Sequence, residues 1–323
     1  HLVVVIGDFL QQHAACEFEV LVIVAVPDDV GRIHVVKRNA YADFAAYIGT
    51  EHCIGCGNGT DALCLAMKCL GFGPGDEVIT AANTFIATAE GIGWTGAKPV
   101  FVDCDPVTYN IDAAQVEAAI TPRTRAIVPV HLYGQPADMD PLLEIAAKHD
   151  LLVISDEIYD RMVYGVEHTC FAALPGMRQR TILLGGFSKS YGMTGWRVGY
   201  ACAPADLLEG MVKIHQYIIM SAPTMSQDAA VHALTAADDE AERMRAEYDR
   251  RRAMFVPGLE RLGLPTVEPR GAFYAFPDIS RSGLSSEEFS ERLLHEQQVA
   301  VIPGSAFGPS GEGYVRAALA TSY

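Results

Sequence analysis

Four stretches of this sequence carry side chains that could do chemistry together. In Ser155-Asp156-Glu157-Ile158-Tyr159 a carboxylate follows an apolar run, and a phenol comes three residues later. In Gly185-Gly186-Phe187-Ser188-Lys189 an amine stands just past a second apolar run. Such an amine is a nucleophile toward carbonyl carbon and a carrier of protons. A guanidinium, Arg197, follows eight residues on, within Met193-Thr194-Gly195-Trp196-Arg197-Val198-Gly199-Tyr200. Earlier in the chain, Gly57-Asn58-Gly59-Thr60-Asp61-Ala62-Leu63 opens a helical stretch. Glycines and a hydroxyl at a helix start make an anion site from free backbone N–H groups and the dipole. Each feature alone has a plainer reading. An isolated aspartate after a strand commonly caps the next helix. An isolated lysine at a Gly-rich strand end is commonly a surface residue, and one Gly-rich turn is weak evidence.

The elements that must position these groups can be read from the pattern around them. From about residue 50, apolar strand-like runs at 77–80, 99–102, 126–130, 151–155 and 181–184 alternate with helical stretches such as 61–70 and 141–148. Continuous apolar strands in alternation with helices predict a mostly parallel sheet covered on both faces. Ligands bind beyond the carboxyl ends of such strands, where Asp156 and Lys189 stand. After about residue 204 the pattern changes. A charged amphipathic stretch at 236–262 reads as a helix. A strand-like run at 272–276, a helix near 285–296 and a strand-like run at 299–302 follow. The expected organisation is a large domain over 41–205 and a smaller α+β domain over 206–323. Residues 1–40 form an N-terminal segment without assignment.

Composition bounds the function. The chain has 323 residues, half of them apolar and a fifth charged, enough for a sizeable core. A net charge of −16 argues against nucleic acid or an anionic membrane as partner. The apolar runs near the N-terminus, at 2–6 and 20–26, are far too short to span a bilayer. No basic region precedes them and no small-residue cleavage site follows, so no signal peptide is expected. Eight cysteines with apolar flanks suggest reduced thiols and a cytoplasmic protein. Cys53 and Cys56 make a C-x-x-C, but no second pair and no histidine cluster at zinc spacing stands near. No metal is expected.

Taken together, the Asp156, Lys189 and Arg197 motifs resemble the class I aminotransferases of fold type I, which use pyridoxal phosphate. The resemblance runs on through Gly271-Ala272-Phe273-Tyr274, Pro303-Gly304-Ser305-Ala306-Phe307-Gly308 and Tyr314-Val315-Arg316. It implies a three-layer α/β/α fold with a mostly parallel sheet and a smaller C-terminal α+β domain. It also implies pyridoxal 5'-phosphate held as a Schiff base on Lys189, which then moves the substrate α-proton. By the same resemblance Asp156 pairs with the pyridinium nitrogen and Tyr159 with the cofactor phenolate. Ser188 and Arg197 hold the phosphate, and Arg316 grips the substrate carboxylate. Gly59, Thr60 and Asp61 resemble the phosphate cup.

Residues from about 44 to 150 resemble a different branch, the DegT/DnrJ/EryC1/StrS aminotransferases that act on nucleotide-linked sugars. The pieces that carry this are Gly73-Pro74-Gly75-Asp76-Glu77-Val78, Ala82-Asn83-Thr84-Phe85-Ile86-Ala87-Thr88, Thr121-Pro122-Arg123-Thr124 and Pro129-Val130-His131-Leu132-Tyr133-Gly134-Gln135-Pro136-Ala137-Asp138-Met139-Asp140. In that branch Phe85 stacks on the pyridine ring; the alternative is a core aromatic. The chain thus reads as a mosaic of two branches with a junction near 147–153.

Four departures from the class I pattern stand out. His131-Leu132-Tyr133-Gly134 replaces the usual Asn-Pro turn, the segment that closes over substrate is not visible in 1–40, the sequence stops at Tyr323 where a last helix is usual in that class, and Gly186 stands where a phosphate-binding serine is common. The expected activity is that of an EC 2.6.1-type transferase, moving an amino group between an amino acid and a 2-oxo acid by ping-pong chemistry. The alternatives are transfer to a nucleotide-linked keto-sugar, another reaction on amino acids such as β-elimination or racemisation, and a cofactor-binding protein with little turnover. The resemblance also implies a homodimer. For His131 and His215, structural roles are preferred to contact with a cofactor or substrate.

Overall fold

A computed structural model describes residues 53–132 and 138–320. The expected N-terminal segment 1–40, and the turn residues Tyr133 and Gly134, lie outside the described residues. The first part of the chain alternates as the pattern predicts. Strand β1 (Cys53–Cys56) leads to helix α1 (Gly59–Cys69), then β2 (Glu77–Ala81), α2 (Ile86–Gly93), β3 (Lys98–Val102) and α3 (Ala113–Ala119). There follow β4 (Thr124–Val128), α4 (Met139–Lys148), β5 (Leu152–Asp156), β6 (Thr181–Gly186), a short helix α5 (Phe187–Ser190) and β7 (Gly199–Cys202). The seven strands form one sheet in the order β1-β7-β6-β5-β4-β2-β3. Neighbours from β3 to β6 pair parallel, and β7 runs antiparallel between β6 and β1.

Burial on both faces explains the continuous apolar strands. On β5, Ile154 packs on one face with Leu63 and Met67 of α1 and with Ile182. Its neighbour Val153 packs on the other face with Leu142 and Ile145 of α4 and with Phe171. Successive side chains of a strand point to opposite faces, so a strand covered on both sides needs apolar residues in sequence. The predicted junction at 147–153 falls where α4 ends and β5 begins.

Beyond β7 come helices α6 (Ala205–Ile218), α7 (Thr224–Ala236) and α8 (Asp238–Arg261). Leu208 and Met211 of α6 join the core beside α1, and Ala230 and Leu234 of α7 pack with Phe187. Helix α8 carries the charge read in the sequence, with pairs such as Arg245–Glu242 and Arg251–Glu247 along its surface. A smaller antiparallel sheet follows, in the order β8 (Tyr274–Ala275), β10 (Val315–Ala318), β9 (Ile302–Pro303), with helix α9 (Ser286–Gln297) before β9. The run at 272–276 is strand over two residues, because Ala272 adopts a positive φ of 48° that interrupts extended backbone. The small sheet lies within 206–323, while α6 and α7 dock on the large one.

Candidate active site

The parallel strands end on one edge of the sheet, and their last residues build the site. Asp156 is the final residue of β5, beside Leu184 of β6. Its carboxyl accepts the Ile158 amide at 3.3 Å. The group is densely enclosed yet keeps part of its surface open. Burial pushes its pKa up to about 6, against the opposing pull of the Ile158 amide, and Glu157 adds repulsion. Strand β6 leads through Gly186 into α5, which carries Lys189. Asp156 therefore closes β5, and Lys189 sits just past the end of the adjacent parallel strand β6.

A run of aromatic rings joins these strand ends to the small sheet. Lys189 Nζ lies 5.3 Å from the centre of the Phe273 ring. Phe273 packs against Tyr159 at 5.9 Å and Tyr274 at 4.7 Å. The Tyr159 hydroxyl donates to the Tyr274 hydroxyl at 3.4 Å. Arg316, on β10, places its guanidinium over Tyr274 at 4.7 Å and over Phe307 at 4.9 Å. Tyr159 is buried, and burial with the neighbouring Tyr274 drives its pKa far above the usual phenol value. It keeps its proton and can donate a hydrogen bond. Phe273, Tyr274 and Phe307 stand in the sequence as motif residues, and their spacing gives no sign that they bridge Lys189 to Arg316.

The start of α1 forms the opposite wall. Asn58 caps it by accepting the Asp61 amide at 3.0 Å, and its side-chain amide donates to Asp61 Oδ2 at 2.5 Å. Gly59 and Thr60 are the first two helical residues, whose amides have no carbonyl to meet within a helix. Gly199 lets this end lie close over β7: a Cβ there would sit 3.1 Å from the Gly185 carbonyl oxygen and 3.3 Å from Asn58 backbone carbon. Burial raises the Asp61 pKa, and the Arg197 guanidinium works against that rise. Arg197 is exposed, in left-handed backbone at φ 53°, and donates to the Thr194 carbonyl at 2.9 Å. The Ser188 carbonyl accepts from the Thr194 hydroxyl at 2.9 Å. Phe85 stands apart at the start of α2, 61 % exposed.

Next to Asp156 the fold assembles a cluster that sequence spacing does not reveal. Glu157 Oε1 accepts the Ser155 hydroxyl at 2.8 Å and the Phe171 amide at 2.9 Å. Its Oε2 meets His168 Nε2 at 2.7 Å, and His131 Nε2 lies 4.0 Å from Oε1. Burial would raise the Glu157 pKa, but the two histidines outweigh it and hold the carboxyl well below its usual range. Burial would lower His168, but Glu157 raises it above the usual value.

Comparison with known proteins gives a two-part picture. The DegT/DnrJ/EryC1/StrS aminotransferase family profile matches residues 38–157. Over 115 residues the chain is 64 % identical to a pleiotropic regulatory protein of Geobacillus stearothermophilus, covering 36 % of this chain and 31 % of that one. Over 270 residues it is 44 % identical to YugH of Bacillus subtilis, named as an aminotransferase, covering 81 % of this chain and 70 % of that one. The crystal structure of an aromatic aminotransferase from Pyrococcus horikoshii superposes with a TM-score of 0.82 at 35 % identity, covering 88 % of this chain and 81 % of that one.

Proposed function

From the premise that this chain belongs to the pyridoxal-phosphate-dependent aminotransferases of fold type I, we propose that it moves an amino group between an amino acid and a 2-oxo acid with Lys189 as the central residue. The observation that carries this reading is the aromatic run between Lys189 and Arg316. It sets the Lys189 amine and the Arg316 guanidinium on either side of Tyr159 and Tyr274, at the strand edge where Asp156 stands.

The donor set fits the cofactor. A protonated ring nitrogen beside Asp156 would return to this carboxylate the charge partner that burial denies it. The amides of Gly59 and Thr60, with Ser188 and Arg197, would hold the phosphate, and Asp61 would orient the Arg197 guanidinium. Phe85 would cover the ring face. Tyr159, kept protonated by burial, would donate to the ring oxygen. When bound, pyridoxal phosphate supplies an electrophilic carbonyl and a ring that accepts electrons. Lys189 would hold it covalently through Nζ and, once displaced by substrate, carry the proton from the substrate α-carbon. Arg316 would fix the substrate α-carboxylate and so direct that carbon toward Lys189. The protein would work as a homodimer in the cytoplasm.

An absorbance spectrum tests the reading. Purified protein with added pyridoxal phosphate should turn yellow, bleach with an amino donor and recover with a 2-oxo acid. Lys189→Ala should lose the covalently linked chromophore and keep its far-ultraviolet circular dichroism. A chromophore that survives in this variant would remove Lys189 from the assignment. A yellow band that no amino acid or amino sugar alters would leave a cofactor-binding protein without transfer.

A further inference from the structure

We infer that His131, Glu157 and His168 form a binding site for one divalent transition-metal ion of the zinc class, beneath the floor of the active site. The three come from separate stretches: His131 after β4, Glu157 after β5, and His168 in the segment leading to β6. Their ligand atoms all lie within 4.8 Å of one another. The side chains of His131 and Glu157 are 4 % and 5 % exposed, and that of His168 is 16 % exposed. Two imidazoles and one carboxylate are a donor set that binds zinc with a fourth position left to water.

Three further features favour a metal over a plain ion pair. The first is the approach of a second imidazole. His168 alone satisfies a hydrogen-bonded pair with Glu157, at 2.7 Å. His131 comes to the other oxygen of the same carboxylate at 4.0 Å, its ring at 90° to that of His168. Bonds of about 2.0–2.2 Å in a tetrahedron put ligand atoms roughly 3.3–3.5 Å apart. One ligand atom from each of the three residues already lies within 4.8 Å of the other two, so small side-chain shifts suffice to reach that spacing. The second feature is the support behind Glu157. Donation from Ser155 and from the Phe171 amide fixes the carboxylate, as outer partners do for metal ligands. The third is charge. Ionised Glu157 and two neutral imidazoles offset one of the two positive charges of the ion, and the Nε2 proton of His168 leaves to solvent when the ion binds.

The site also has a place in the fold. The His131 amide donates to the Asp156 carbonyl at 3.3 Å, so an ion here would tie the end of β4 and the 168 segment to the end of β5. His131 lies within residues 38–157, the part matched by one family profile, and His168 lies outside it. The cluster joins the two parts of the mosaic. This inference stands apart from the proposed amino transfer, because its readout is metal binding.

The test begins with chelator-stripped protein, with and without pyridoxal phosphate. Titration with Zn2+ against a chromophoric competitor should find one equivalent bound, with a rise in thermal midpoint. Co2+ in its place should give ligand-field bands without thiolate charge transfer. His131→Asn and His168→Asn should each weaken Zn2+ binding by more than the roughly 10- to 100-fold that loss of an outer-shell partner causes. Cys53→Ser/Cys202→Ser should leave it unchanged. Absence of saturable binding would overturn the site. So would binding unaffected by both histidine substitutions, or a Co2+ spectrum dominated by thiolate. The Co2+ spectrum of the unsubstituted protein keeps the inference exposed even where a histidine variant fails to fold.

Discussion

Arg316 is held between two rings, Tyr274 and Phe307, each within 5 Å of its guanidinium. Stacking on its faces leaves the N–H edges of the fork for a carboxylate. Losing a charge-assisted fork costs about 1.5–3 kcal/mol. Arg316→Ala should therefore raise KM for amino-acid donors by roughly 10- to 150-fold, with a smaller change in kcat, measured by steady-state kinetics over a donor panel. An unchanged KM for every donor would take Arg316 out of substrate binding. This residue was legible in the sequence because Tyr314-Val315-Arg316 sits within a recognisable run. Its ring partners were not, since Phe307 reaches it from another segment and Tyr274 from another strand. Lys189 and Asp156 were legible for a local reason: Asp156 closes one buried strand and Lys189 stands three residues past the next, at the end of the sheet where such residues meet.

Among the helices, α1 walls the site and α6 packs behind it in the core. Asn58 caps α1 through the Asp61 amide. Asn58→Ala should cost about 1 kcal/mol of stability by denaturant unfolding, and should weaken pyridoxal phosphate binding because the helix start is the proposed phosphate wall. Helix α6 buries His215 on its inner face, and burial lowers its pKa below the usual 6.5. The unfolded chain then binds the extra proton between the folded pKa and 6.5. His215 thus favours the folded state fully above about pH 6.5, and that contribution falls as pH drops below it. His215→Phe should flatten this part of the acid-side decline in thermal midpoint just below pH 6.5. An unchanged slope would mean that His215 does not titrate in that window. The helical character of α1, α4, α8 and α9 was visible in the sequence through periodicity and charge. Strands β1 and β7 were not: Cys-Ile-Gly-Cys and Gly-Tyr-Ala-Cys are short and each contains a glycine, and it is antiparallel pairing, of β1 with β7 and of β7 with β6, that makes them strands.

For the whole molecule, several large apolar side chains stay exposed on a single chain, among them Phe85, Ile86, Tyr217, Met220 and Met225. Among the described residues no helix is long and apolar enough to cross a membrane. A second copy of the chain is the proposed cover for Ile86, Tyr217, Met220 and Met225, whereas Phe85 is the proposed cover of the cofactor ring. Sedimentation equilibrium should give twice the 34.9 kDa chain mass. A monomer at micromolar concentration would contradict the homodimer. The mosaic also belongs to this scale. Its two parts share one sheet, with β4 from the front pairing β5 at the junction and β5 pairing β6 from the back. Both parts supply the same layer pattern, so the core closes across the boundary through Ile154 and Val153.

What the sequence determined by itself was local: the alternation of strands and helices, the glycine-opened start of α1, and the reactive residues that follow apolar runs. These depend on neighbours a few positions away, and the period of a strand or helix records them directly. The tertiary structure alone decided which distant groups meet. It brought Lys189 and Arg316 to the same aromatic run, put Arg197 within electrostatic reach of Asp61, and gathered His131 and His168 around the Glu157 carboxylate. The physical reason is that crossovers between parallel strands fix which segments become neighbours. That choice is made by burial of both faces of the whole sheet, and no spacing along the chain encodes it.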